Sequence, residues 1–150
     1  MATISKKDMK FFEEAHKEAT CSNYEPFKIG CVIVYKGKVI GSGHNSRKTC
    51  PTQKFYNRRY RSFRKGTKPI IDSTHAEIAA IRSVPKTVAN TVDWKRAKVY
   101  VYRISPGKVH GFGMSRCCSG CMRAIRDTGI INVLYTTDDG YAYERLENGD

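Results

Sequence analysis

His75-Ala76-Glu77 near the middle of the chain and Cys118-Ser119-Gly120-Cys121 further on supply one imidazole, two thiols and one carboxylate. Three of these groups are donors that zinc takes. Zinc held by three protein ligands keeps a fourth position for water, which marks a catalytic site rather than a closed structural one. His75, Cys118 and Cys121 are therefore the candidate metal ligands. Cysteines at i and i+3 point the same way in the first turn of a helix, so both sulfurs reach one ion at about 2.3 Å. Zinc lowers the pKa of a water it holds toward about 7. Glu77, two residues from the histidine, is then the candidate catalytic group, moving the protons.

Each motif also has a plainer reading. Thr74-x-x-Glu77 matches a capping box, in which Thr74 caps a helix and Glu77 bonds back to the cap. A CxxC pair near a strand-to-helix junction also serves as a redox dithiol. Cys117, directly before the pair, offers a fourth sulfur that would close a structural zinc site, and Cys50 with His44 offers a second zinc site.

HxE followed by CxxC is the signature of zinc-dependent nucleobase deaminases, and the chain resembles the cytidine deaminase superfamily. The resemblance spans roughly residues 28 to 136. It rests on Gly30-Cys31-Val32-Ile33-Val34, on Val39-Ile40 with the Gly41-Ser42-Gly43-His44-Asn45 turn, on Thr74-His75-Ala76-Glu77, on Val99-Tyr100-Val101-Tyr102 and on Cys117 to Cys121, in that order. Cys117 stands where that family usually has proline, and Cys31 where a small alanine is expected. The resemblance implies zinc as cofactor and hydrolytic attack at C4 of cytosine or C6 of adenine. It implies that backbone N–H groups of Ala76 and Cys118 hold the base and that Asn45 bonds the sugar hydroxyl. Asn45 has an equal reading as a turn residue. Many members of the family are oligomers, so a homo-oligomer is expected.

The implied fold class is α/β: a three-layer α/β/α sandwich with a mixed central sheet of about five strands. The periodicities agree, with helices over 5–19, 75–83 and 118–128 and strands over 30–35, 38–44, 98–104, 131–136 and 141–146. Only four residues separate the last two strands, so they form an antiparallel C-terminal hairpin if they pair. That hairpin resembles the free-nucleoside enzymes of the superfamily, whereas the histidine ligand resembles the deoxycytidylate and nucleic-acid enzymes.

At 150 residues and 17.0 kDa the chain reads as a single domain, 1–150. It has no run of eighteen apolar residues and no signal-peptide core. A cytoplasmic protein with reduced cysteines and no membrane partner is expected.

The net charge of +13 is concentrated in one place. Between Arg47 and Lys68 lie nine cations and no acid, which leaves only +4 for the rest. This segment reads as a basic insertion at about 47–70, with Tyr56, Tyr60 and Phe63 on one helical face. Its cations, with Arg58 and Arg61 as the candidates for substrate binding, suit the 5′-phosphate of a nucleotide. They equally suit a polynucleotide backbone with bases stacked on the aromatics. A solvated face packing its aromatics inward is the third reading.

Three function classes follow. The first is a deaminase of a cytosine nucleotide or nucleoside of the dCMP, CMP or cytidine type. The second is a deaminase of cytosine or adenine within single-stranded DNA or RNA. The third is a non-enzymatic, zinc-stabilised nucleic-acid-binding module.

Overall fold

Strand β1 (Lys28–Tyr35) alternates its side chains between two buried faces, which only a strand covered on both sides can do. The structure, a computed structural model, describes residues 4–61 and 73–146. Cys31 and Ile33 join one core with Val99, Val101 and Val133. Val32 and Val34 join the other with Tyr100, Tyr102 and Leu134. The expected three layers follow from this alternation.

Helix α1 (Lys6–Ala19) covers the second face with Phe11, Phe12 and Ala15. Ser5 caps it, and Asp8 completes the capping box. Gly30 lies where this helix crosses β1, and a Cβ there would stand 2.1 Å from the Ala15 carbonyl oxygen. Helices α3 (Ala76–Ser83) and α5 (Ser119–Thr128) cover the opposite face, with α2 (Pro51–Tyr60) packed on α5. A short helix, α4 (Lys86–Ala89), follows α3.

The sheet order is β2 (Lys38–His44), β1, β3 (Lys98–Ile104), β5 (Asn132–Thr136), β6 (Tyr141–Arg145), with the two-residue β4 (Phe112–Gly113) paired to β3. β3 and β5 are parallel and every other pair is antiparallel, so the sheet is mixed and ends in the expected hairpin. The topology explains how the two motifs meet. β2 and β3 both run antiparallel to β1 and hence parallel to each other. The chain leaves both strands at the same edge, so α3 and α5 begin side by side.

Gly41 and Gly43 lie within strand β2, whose bounds are those expected for it. A Cβ at Gly43 would meet the Ala80 backbone nitrogen at 2.4 Å, so glycine is required there for α3 to pack. Thr74 forms no capping box with Glu77; its hydroxyl donates to the Lys48 carbonyl at 2.8 Å, and the N-cap of α3 is His75. The helix in the basic segment is described only over Pro51–Tyr60, and Phe63 with residues 62–72 lies outside the described residues. No helix among the described residues is long and apolar enough to cross a membrane.

Candidate active site

His75 at the N-cap of α3 and Cys118 at the N-cap of α5 face each other across the space between the two helix starts. His75 Nδ1 lies 3.2 Å from the Cys121 sulfur and 3.6 Å from that of Cys118. A tetrahedral zinc with ordinary Zn–N and Zn–S bonds sets its nitrogen and sulfur ligands about 3.6 Å apart, so the observed spacing fits. Among the described residues this trio is the group of three or more metal-type ligands that converges. Cys117 is not part of it, and neither are Cys50 and His44, which instead contact Arg82 at 2.9 Å and Glu18 at 2.9 Å.

The two thiols share a proton unequally. The Cys118 thiol is lowered to about 4, first by the hydrogen bond from Cys121 and then by His75 and the Cys121 backbone N–H, against the cost of burial. The same bond, with burial, pushes Cys121 up. Burial disfavours a charged His75, but the Cys118 sulfur and the charge of Glu77 outweigh it and raise its pKa. A trio that is already part thiolate suits a divalent cation.

Glu77 sits in the first turn of α3 and is 5% exposed. Burial is the largest influence and raises its carboxyl above the ordinary range. His75 pulls the other way and the Cys118 thiolate adds to the rise. Its own backbone N–H and the nearby Cys117 thiol act in the opposite direction, favouring the charged form. A carboxyl tuned upward is suited to taking up and returning a proton near neutral pH.

These groups open into a cavity of about 470 Å³, within the range of small-molecule sites. Glu77, His75, Cys118, Ala76 and Asn45 all line it, as does Arg61. Arg58 does not; it is exposed on α2. Asn45 is largely committed to the fold. Its Oδ1 accepts from the Ile29 N–H at 2.9 Å and the Ser22 hydroxyl at 2.6 Å, and its Nδ2 donates to the Phe27 carbonyl at 3.0 Å. One amide N–H is left over. Of the aromatics in the basic segment, Tyr56 donates to Asp127 at 2.7 Å and Tyr60 lies under the Arg123 guanidinium at 5.4 Å. Both are thereby engaged with α5.

Three participants carried no motif. Gln53 of α2 is fully buried and accepts from the His75 backbone N–H at 2.9 Å. Arg103, at the end of β3, and Arg116, directly before the cysteines, line the cavity. An arginine continuing an apolar strand was the available signal for Arg103.

A family model described as the cytidine and deoxycytidylate deaminase zinc-binding region matches residues 5–137. The chain belongs to that family. This member of the deaminase family also resembles solved structures of low sequence identity, which show the shared fold. A dCMP deaminase from the cyanophage S-TIM5, in complex with dCMP and dUMP, aligns with a TM-score of 0.55 at 14% identity, over 91% of this chain and 85% of that one. A cytidine deaminase from Burkholderia pseudomallei aligns with a TM-score of 0.52 at 17% identity, over 95% of this chain and 87% of that one. No curated protein matches the sequence.

Proposed function

We propose that this deaminase-family chain is a zinc-dependent hydrolase that converts a cytosine nucleotide or nucleoside, of the dCMP, CMP or cytidine type, to the uracil product and ammonia. The observation that carries the reading is the imidazole and two thiols converging at metal-ligand spacing beside a buried carboxyl on the wall of one cavity. The dCMP and dUMP complex of the cyanophage enzyme supports the substrate class.

His75, Cys118 and Cys121 would hold the zinc, which when bound supplies a nucleophilic water at neutral pH. Glu77 takes the proton from the attacking water and passes it to the ring nitrogen beside C4. It then moves a proton to the departing amine, so that cytosine and water become uracil and ammonia. Ala76 and Cys118, at the starts of α3 and α5, line the cavity, and backbone N–H groups at helix starts favour an electron-rich oxygen such as the base carbonyl. Asn45 offers its remaining N–H to a sugar hydroxyl. Burial of Glu77 keeps bulk water from competing for its proton.

All six cysteines are free, which accords with a reducing compartment such as the cytoplasm. The engagement of Tyr56 and Tyr60 with α5 favours a small substrate over a strand stacked on that face. Ammonia release from dCMP, CMP, cytidine and a single-stranded oligonucleotide, with and without a chelator, tests the proposal. Chelator-sensitive release from a mononucleotide or nucleoside supports it. Zinc-loaded protein that deaminates none of the four refutes it.

A further inference from the structure

Among the described residues three guanidinium groups line the cavity, from Arg61, Arg103 and Arg116, and Glu77 is the one acid on its wall. The proposed reaction has no use for three cations. A cavity so lined attracts an anion, and the anionic part of a cytosine nucleotide is its phosphate.

The three arginines are not equally available. Arg116 is held by Glu144 through two parallel bonds of 2.9 Å each, so its charge is already neutralised. Arg61 reaches the Asn57 side-chain oxygen at 3.4 Å and lies close enough to His75 to oppose protonation of the ring. Arg103 differs from both. Its guanidinium carbon sits 4.8 Å from the centre of the Phe27 ring, a contact that fixes the group yet consumes none of its N–H donors. Among the described residues it forms no ion pair.

Position agrees with availability. Arg103 pairs with Ile29 across β1 and β3, and the Ile29 N–H is the one bound by Asn45. Asn45 and Arg103 therefore flank the same residue of β1, one strand spacing of about 4.8 Å to either side. One stretch of cavity wall thus holds the N–H proposed for the sugar and, next along, a free guanidinium. The 5′-phosphate of a nucleotide is attached to that sugar.

We infer that Arg103 is a specificity-determining residue that binds the 5′-phosphate of a pyrimidine nucleoside monophosphate, so that the enzyme takes the nucleotide in preference to the nucleoside. This rests on the proposed deaminase activity and deepens it. Phosphate binding was one of three readings of the basic segment; in this proposal strand β3 supplies the contact.

The test compares dCMP with deoxycytidine, and CMP with cytidine, on the zinc-loaded wild type and on Arg103→Gln and Arg103→Lys. Loss of one charge-assisted contact to phosphate lowers kcat/KM on the nucleotides by about 10- to 100-fold, mainly through KM. The nucleosides lack the group that Arg103 touches, so their kcat/KM stays within about threefold and reports an intact fold. Arg103→Lys restores part of the loss, because it restores the charge without the fork. In parallel, calorimetry with dUMP and deoxyuridine reads binding alone, and Arg103→Gln is expected to weaken only dUMP. A wild type that prefers the nucleosides, or a variant that loses both substrates equally, overturns the inference while leaving the deaminase standing. Preference for an internal cytosine of an oligonucleotide over dCMP overturns it too. If nothing is deaminated the proposed activity fails, and the dUMP calorimetry still decides the phosphate site.

Discussion

The Gln53 side-chain oxygen accepts the His75 backbone N–H at 2.9 Å, so a helix from the basic segment holds a candidate metal ligand in place. The same amide donates to the Asn57 oxygen at 3.0 Å and lies 3.9 Å from the Cys121 sulfur. One buried side chain thus touches both motifs, and α2 buttresses the site from behind.

Replacing Gln53 by leucine keeps much of its volume but leaves the His75 N–H without its acceptor. Outer partners of metal ligands are worth about 10- to 100-fold in affinity, and a loss of that size is expected for Gln53→Leu in competition with a chromophoric chelator. Zinc affinity unchanged from wild type would reduce Gln53 to core packing.

The ligands themselves should matter more. His75→Ala and Cys118→Ser are expected to weaken zinc by more than the roughly 10- to 100-fold that an outer partner costs. In the metal-free protein the pKa values of Cys121 and His75 are both raised, which favours their protonated forms. Those protons must leave when the metal enters, so zinc affinity rises with pH and falls as pH drops through the His75 range. Titration at several pH values, with proton release recorded, checks the sign. An affinity independent of pH would mean that other groups bind the ion.

Asp8 ties the start of α1 to the sheet through the Tyr100 hydroxyl and lies 3.8 Å from Lys98. Burial opposes its charge, but the Tyr100 and Ser5 hydrogen bonds with Lys98 outweigh it and lower its pKa. A depressed folded-state pKa gives stability that is present above the unfolded value, about 3.9, and is lost as pH falls through the folded value. Asp8→Asn is expected to cost about 1 to 2 kcal/mol at neutral pH and to flatten the acid limb below about pH 4. Urea melts across that window measure both. An unaltered acid limb would remove Asp8 from the acid response.

Much of this was legible in the residues because it is periodic or chemically specific. The unbroken apolar and aromatic runs Cys31 to Val34 and Val99 to Tyr102 pointed to strands buried on both faces, and the donor types at 75, 118 and 121 to a candidate metal site. What escaped depends on contacts between distant segments. Gln53 has no motif because its role is set by where α2 docks. Thr74 and Glu77 fit a local capping pattern that lost to the long-range bond between Thr74 and Lys48. Gly41 and Gly43 fall in the strand expected over 38–44, and only the approach of α3 shows why that strand needs glycine there. Arg58 and Arg61 were indistinguishable in sequence, and the end of α2 separates them: Arg58 is exposed on the helix, whereas Arg61, its extended C-cap residue, lines the cavity wall.

Glu77→Gln removes the proposed proton carrier while leaving every proposed metal ligand in place. Zinc content and dCMP or cytidine deamination, measured on the same preparations of this variant and the wild type, are the most direct check. The variant is expected to hold zinc as the wild type does and to lose about 100- to 10,000-fold in turnover. Zinc retained with turnover within tenfold of wild type would contradict the role assigned to Glu77, and with it the deaminase mechanism.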